Sequence, residues 1–144
     1  MANNTHFKIV LDTNWFISAT INRRSRRTLY DILTNKKFEI LYSKELLKEY
    51  QNVIIRPKFA KYIRANQANR FMNLVTSELT EIEIKSFIKR SRDAKDDFLL
   101  SITVDGNADF LITGDDDLLV LGEIGKAQII TLSHFLEIMN GLNI

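Results

Sequence analysis

The sequence predicts an α/β fold, a central and mainly parallel β-sheet flanked by helices on both faces. Three observations predict it. Short apolar runs of strand length alternate with longer stretches of helical apolar spacing, which is the order of βαβ units. The first such run, Phe7–Leu11, is β-branched and aromatic, as a strand covered on both faces is. The length of 144 residues, 45% of them hydrophobic, suits one core and hence a single domain over 1–144.

The elements follow in order. Phe7–Leu11 predicts the first strand and stops at Asp12-Thr13-Asn14, polar residues suited to capping a helix from Trp15 to about Ile21. Asn22–Ser25 predicts a loop, and Arg26 to about Lys36 a helix carrying Leu29, Ile32 and Leu33. Phe38–Leu41 predicts a second strand. Ser43 then caps a helix from Lys44 to about Ile55, with Leu46, Leu47, Tyr50, Val53 and Ile54 at helical spacing, and Pro57 marks its end. Residues 58–77 predict one or two helices, and Leu79–Ile84, alternating apolar and polar, an edge strand. Lys85–Arg92 has no decisive pattern. Asp96–Asp105 predicts a helix, Ala108–Ile112 a strand, Asp117–Leu121 a short helix and Gln128–Thr131 a strand. Ser133 caps a last helix, His134 to about Asn140.

Composition excludes several function classes. There is no cysteine, so there is no disulfide scaffold, thiol nucleophile or thiolate metal site. The opening Met1–His6 is short and polar, and Asp12 interrupts the apolar run that follows, so neither a signal peptide nor a membrane span is expected and a cytoplasmic setting is. The net charge of +2 points only weakly to a nucleic-acid partner. Its distribution is more informative: Arg23, Arg24, Arg26 and Arg27 crowd one segment, aspartates crowd 93–97 and 115–117. The arginines fit either phosphate contacts or a solvated helix start. Phe59, Tyr62 and Phe71 fit core or subunit-interface positions before base-stacking platforms.

In an open parallel sheet, ligands bind beyond the carboxyl ends of the strands. Asp12 directly follows the first strand and Asp115 comes three residues after Ile112, so both should open onto one edge. Asp96 starts a helix and Glu49 lies within one. Carboxylates gathered there repel one another, which raises their pKa values or demands a cation. All-oxygen donors favour a hard ion such as Mg²⁺, Mn²⁺ or Ca²⁺. Taken singly, each acid has a plainer reading: Asp12 as a helix cap, Glu49 as a surface residue, Asp93–Asp97 and Asp115–Asp117 as a helix start and a turn.

Four segments together resemble the PIN-domain nuclease family, more narrowly its toxins of toxin–antitoxin systems. Ile9-Val10-Leu11-Asp12-Thr13-Asn14 resembles the first acidic motif. Ser43-Lys44-Glu45-Leu46-Leu47-Lys48-Glu49-Tyr50, with Arg56-Pro57-Lys58-Phe59, resembles the second. Arg92-Asp93-Ala94-Lys95-Asp96-Asp97-Phe98-Leu99 resembles the third, and the run from Ala108 to Leu119, containing Thr113-Gly114-Asp115-Asp116-Asp117, the fourth. Three positions depart from the pattern: Ala94 replaces a usual Pro, Asp97 adjoins Asp96, and Trp15 is bulkier than the small aliphatic residue common there.

The resemblance implies a single PIN-like domain with metal-site acids at Asp12, Glu49, Asp96 and Asp115. Asp97 is the substitute for Asp96, Asp117 an accessory acid, and Asn14 and Thr113 supports that orient carboxylates. It further implies a metal-dependent endoribonuclease that uses one or two Mg²⁺ or Mn²⁺ ions to hydrolyse RNA, with a small antitoxin protein and a second copy of the chain as partners. Two other readings stay open: a weak or inactive PIN-like module that binds RNA or a partner, and a Mg²⁺-dependent phosphatase. The phosphatase would need a second acid two residues after Asp12, where Asn14 stands.

Overall fold

Strand β1 (Phe7–Leu11) carries Ile9, Val10 and Leu11, all essentially without solvent exposure. Successive strand residues point to opposite faces, so both faces of β1 are covered. The computed structural model describes residues 6–143; the reading of the first five residues as a polar opening lies outside them. Around β1 the described residues form a six-stranded sheet in the order β3-β2-β1-β4-β6-β5. Its members are β2 (Phe38–Tyr42), β3 (Thr80–Glu81), β4 (Phe110–Ile112), β5 (Glu123–Ile124) and β6 (Ala127–Ile130). All pairings are parallel except β5 with β6. The fold is therefore α/β with a mainly parallel sheet.

The helices are α1 (Thr13–Ile21), α2 (Arg23–Thr34), α3 (Lys44–Ile54), α4 (Pro57–Ala60), α5 (Ala65–Thr76), α6 (Asp97–Asp105), α7 (Asp116–Leu119) and α8 (Leu132–Gly141). A 3-10 turn, Ala94–Asp96, leads into α6. The Tyr50 ring is fully buried and its hydroxyl meets Thr20 Oγ1 at 2.7 Å, which ties α3 to α1. At the far end of the sheet Phe7, Phe38, Phe110 and Phe135 pack ring to ring. Among the described residues no helix is long and apolar enough to cross a membrane.

Several boundaries differ from expectation for local reasons. The loop expected over Asn22–Ser25 shrinks to Asn22, whose side chain accepts from the Arg24 and Ser25 amides and starts α2 at once. Pro57 does not merely end α3; it occupies the first turn of α4, where its missing N–H costs nothing. The cap of α8 is Thr131, which accepts from His134 N, and not Ser133. Strand β5 was not expected. It depends on the two-residue turn Gly125-Lys126, where Gly125 has φ 58°. Beyond β3 the chain forms no further ladder, yet burial alternates residue by residue from Glu81 to Lys89, the signature of extended backbone.

Candidate active site

The register of β1 and β4 sets the site. Leu11 lies beside Ile112, so the next residues, Asp12 and Thr113, leave the sheet side by side. The Thr113 hydroxyl donates to Asp12 Oδ2 at 2.6 Å and accepts the Asp115 N–H at 3.0 Å. A single buried hydroxyl thus spaces two acids from different strands. Asp12 Oδ1 accepts the Asn14 N–H at 3.0 Å, so Asp12 is also the N-cap of α1. Asp115 caps α7 through the Asp117 N–H at 2.9 Å. Asp12, Asn14, Trp15, Gly114 and Asp115 line an open cavity of about 350 Å³.

A third carboxyl joins from the turn before α6. Burial raises the Asp96 pKa to about 7, helped by a shared hydrogen bond with Asp115 and by the charges of Asp115, Asp12 and Asp93. Asp96 Oδ2 is buried and has no hydrogen-bond partner. Asp12, only 6% exposed, also titrates above the usual carboxylate value. Burial is the main cause there; the Thr113 and Asn14 hydrogen bonds oppose it and the Asp115 charge adds to it. At neutral pH this corner holds like charges with one oxygen facing no donor, an arrangement that a cation would relieve.

The other singled-out residues divide sharply. Asp97 turns away from the cluster: its Oδ1 accepts the Arg90 and Ser91 amides at 3.2 and 3.0 Å. Asp117 forms an ion pair with Arg92 at 2.9 Å, both side chains well exposed. Asn14 contributes its amide N–H, while its residue is exposed. Glu49 is half-buried on α3, a helix packed against α1 and α6, and its charge is not among those acting on Asp12 or Asp96. Arg26 donates to the carbonyls of Ala19 and Thr20 at 3.0 and 2.9 Å, closing the end of α1. Arg23, Arg24 and Arg27 are exposed, and Arg23 and Arg27 border an apolar groove of about 1080 Å³ between α2 and α5 that shares no lining residue with the acidic cavity. Asp93 was not singled out as a site acid, although it acts electrostatically on Asp96; its place in the crowded 93–97 segment was the available signal.

The donor set suits a hard divalent ion in chemistry: all oxygens, raised acidities and an orphaned carboxylate oxygen. Among the described residues no group of three or more His, Asp or Glu side chains is placed to hold a metal ion.

The family model described as PIN domain matches residues 8–117. An uncharacterized protein, MJ1680 of Methanocaldococcus jannaschii, is 31% identical over 123 residues, covering 83% of this chain and 77% of that protein. Among solved structures, PAE2754 from Pyrobaculum aerophilum is similar in fold with a TM-score of 0.61 at 15% identity, over 94% of this chain and 91% of its own. VapBC2 from Rickettsia felis, solved bound to a DNA fragment from its promoter, gives 0.57 at 18% identity, over 85% and 96%. At such identities the two structures speak to fold alone.

Proposed function

The chain belongs to the PIN-domain family, and on that premise we propose that it is a divalent-metal-dependent endoribonuclease, one domain over 1–144, acting in the cytoplasm as the toxin of a type II toxin–antitoxin pair. The observation that carries the nuclease reading is the Thr113 bridge, which holds Asp12 and Asp115 together beside an Asp96 whose pKa is pushed up to about 7. Asp12, Asp96 and Asp115 would hold Mg²⁺ or Mn²⁺, with Glu49 completing the set after a movement of its side chain. The bound ion supplies Lewis acidity, activating water and neutralising charge that develops on the phosphodiester.

The protein's own part is positioning. Thr113 fixes Asp12 Oδ2 and, through the Asp115 amide, the start of α7. Asn14 fixes Asp12 Oδ1. Asp96, whose pKa is pushed up to about 7 by burial and by Asp115, keeps its proton to higher pH than an ordinary carboxyl, and a cation would displace that proton. Asp117, Asp97 and the arginines stand outside this inner set; Arg23, Arg24 and Arg27 remain free to meet RNA phosphates. The toxin reading leans on the motif resemblance and on the fold likeness to VapBC2. It implies a small antitoxin partner that covers or distorts the acidic cavity, and a homodimer.

Asp12→Asn tests the proposal: Asn is as good an N-cap as Asp and its oxygen still accepts the Asn14 N–H, while its amide nitrogen takes the place of the Oδ2 that faces Thr113. Mn²⁺- or Mg²⁺-dependent cleavage of mixed RNA should vanish in this variant while its circular dichroism stays native. An unchanged rate would sink the assignment. One observation favours a second reading, a PIN-like module that binds RNA or a partner without cutting it: no three ligands stand ready among the described residues. RNA binding by the wild type with no cleavage at any Mn²⁺ concentration would select that reading.

A further inference from the structure

From Ile82 to about Arg90 the chain runs extended, with Ile82, Ile84 and Ile88 packed on the core and alternate residues facing water, before it bends into the turn at Ala94–Asp96. Two aspartates of α6 staple this strap. Asp105, the last residue of the helix, accepts the Lys85 N–H at 2.6 Å, the Ser86 N–H at 2.9 Å and the Ser86 hydroxyl. Asp97, the first residue, accepts the Arg90 and Ser91 amides. The lengths agree. From Asp97 to Asp105 the helix rises roughly 12 Å, and from Ser86 to Arg90 an extended chain covers roughly 13 Å. The strap is therefore held taut and antiparallel along α6.

Phe87 lies between the two staples and is 95% exposed. Its backbone is tied down on both sides, so its ring is offered to water by a fixed support rather than by a loose loop. The exposed residues around it are graded in charge. Glu81 and Glu83 lie toward β3, Lys85, Lys89 and Arg90 lie around and after Phe87, and the next staple is adjacent to Asp96. The Lys85 charge acts on Asp105, whereas Lys89 and Arg90 have no ion-pair partner among the described residues. A flat aromatic face flanked by unpaired cations, leading toward an acidic centre, is what a single strand of nucleic acid binds: bases stack on the ring and phosphates meet the cations.

We propose that the stapled strap 82–90 is a single-stranded RNA subsite, in which Phe87 stacks a base and Lys89 and Arg90 hold the adjoining phosphates, delivering the strand to the Asp12–Asp96–Asp115 corner. It rests on the nuclease reading for its purpose, but its binding can be measured without cleavage. Wild type, F87A, F87W and K89A/R90A would be titrated with a short fluorescein-labelled single-stranded RNA of mixed sequence in EDTA, followed by anisotropy, with cleavage in Mn²⁺ assayed in parallel. F87A should weaken binding roughly tenfold or more and F87W should restore it. K89A/R90A should lower the slope of log K against log salt by about 1.4. Since all three side chains are exposed, the variants should keep the native circular dichroism.

Wild-type affinity in F87A overturns the subsite, as does a wild type that binds no RNA in EDTA, whatever the cleavage assay shows. A change from dimer to monomer in F87A, measured by light scattering with RNA affinity unaltered, also overturns it and makes Phe87 a contact between copies. RNA binding that depends on Phe87 without any cleavage upholds the subsite and removes the nuclease reading instead.

Discussion

Asp96, just before α6, feels three further carboxyl groups, those of Asp115, Asp12 and Asp93, whereas Asp105, at the other end of the same helix, faces two amides and a hydroxyl. Their acidities diverge accordingly. Asp96 rises to about 7 through burial, Asp115 and the neighbouring charges. For Asp105 burial pushes upward, but the Ser86 and Lys85 hydrogen bonds and the Lys85 charge outweigh it and hold the pKa below 3.8. The helix dipole alone would order them the other way, favouring the anion at the N-terminal end. Its worth of up to about 2 kcal/mol at a partly buried site is about 1.5 pKa units, less than the rise at Asp96, so the immediate neighbours decide. A carboxylate given donors is a structural clip and keeps its charge, whereas one given other carboxylates holds its proton to higher pH.

Removing one acid at each end breaks the comparison in opposite ways. The largest effect is expected at Asp96. With a folded pKa of about 7 against 3.8 for the free side chain, the unfolded chain releases this proton first as pH rises. Wild-type stability without divalent ions should therefore fall between 3.8 and about 7 and level off above. Thermal melts in EDTA on either side of that window should show the fall in the wild type and a smaller one in Asp96→Asn, Asp12 supplying the remainder. On the high-pH side, Mn²⁺ should raise the melting temperature of the wild type more than that of the variant. Equal pH profiles for the two proteins would refute the shift assigned to Asp96.

Asp105→Ala should come next. It strips three donors of their acceptor at a half-exposed position, at a cost of roughly 1–2 kcal/mol in urea unfolding. The sign with pH is reversed. Because its folded pKa is depressed, the contribution of Asp105 is present above 3.8 and is lost as pH falls through the folded value, so wild type and variant should converge in acid. A variant as stable as the wild type at neutral pH would mean that the strap is held by its isoleucines alone. The smallest effect belongs to Asp117→Asn. Its pair with Arg92 is exposed on both sides, and its loss should change stability by no more than about 0.5 kcal/mol, an effect that added salt erases.

Much of the fold was legible because it rests on local signals. The apolar run Ile9-Val10-Leu11 had to be an interior strand, and Ser43 capped its helix as expected, accepting from Leu46 N. Where the outcome turned on a partner distant in sequence, legibility ended. Lys85–Arg92 has no periodicity that separates helix from strand, and it is extended because Asp105 and Asp97 clamp it from a helix that follows it in the chain. Of the adjacent pair Asp96 and Asp97, the family resemblance favoured the first. The geometry gives the reason they differ: Asp97 is committed to the strap, and Asp96 is left facing Asp115.

By itself the sequence determined the α/β fold, the four acidic segments and the place of Asp12 directly after the first strand. Those features depend on side-chain periodicity, on capping chemistry and on residue order, all of which are local. Only the tertiary structure decided which acids meet. The parallel register of β1 and β4 sets Thr113 between Asp12 and Asp115, the turn before α6 brings Asp96 to them, and Glu49, on α3, is not among the charges that act on Asp12 or Asp96. A carboxylate's charge state and use depend on what lies within a few ångströms of it, and those neighbours come from strands up to 101 residues apart in the chain.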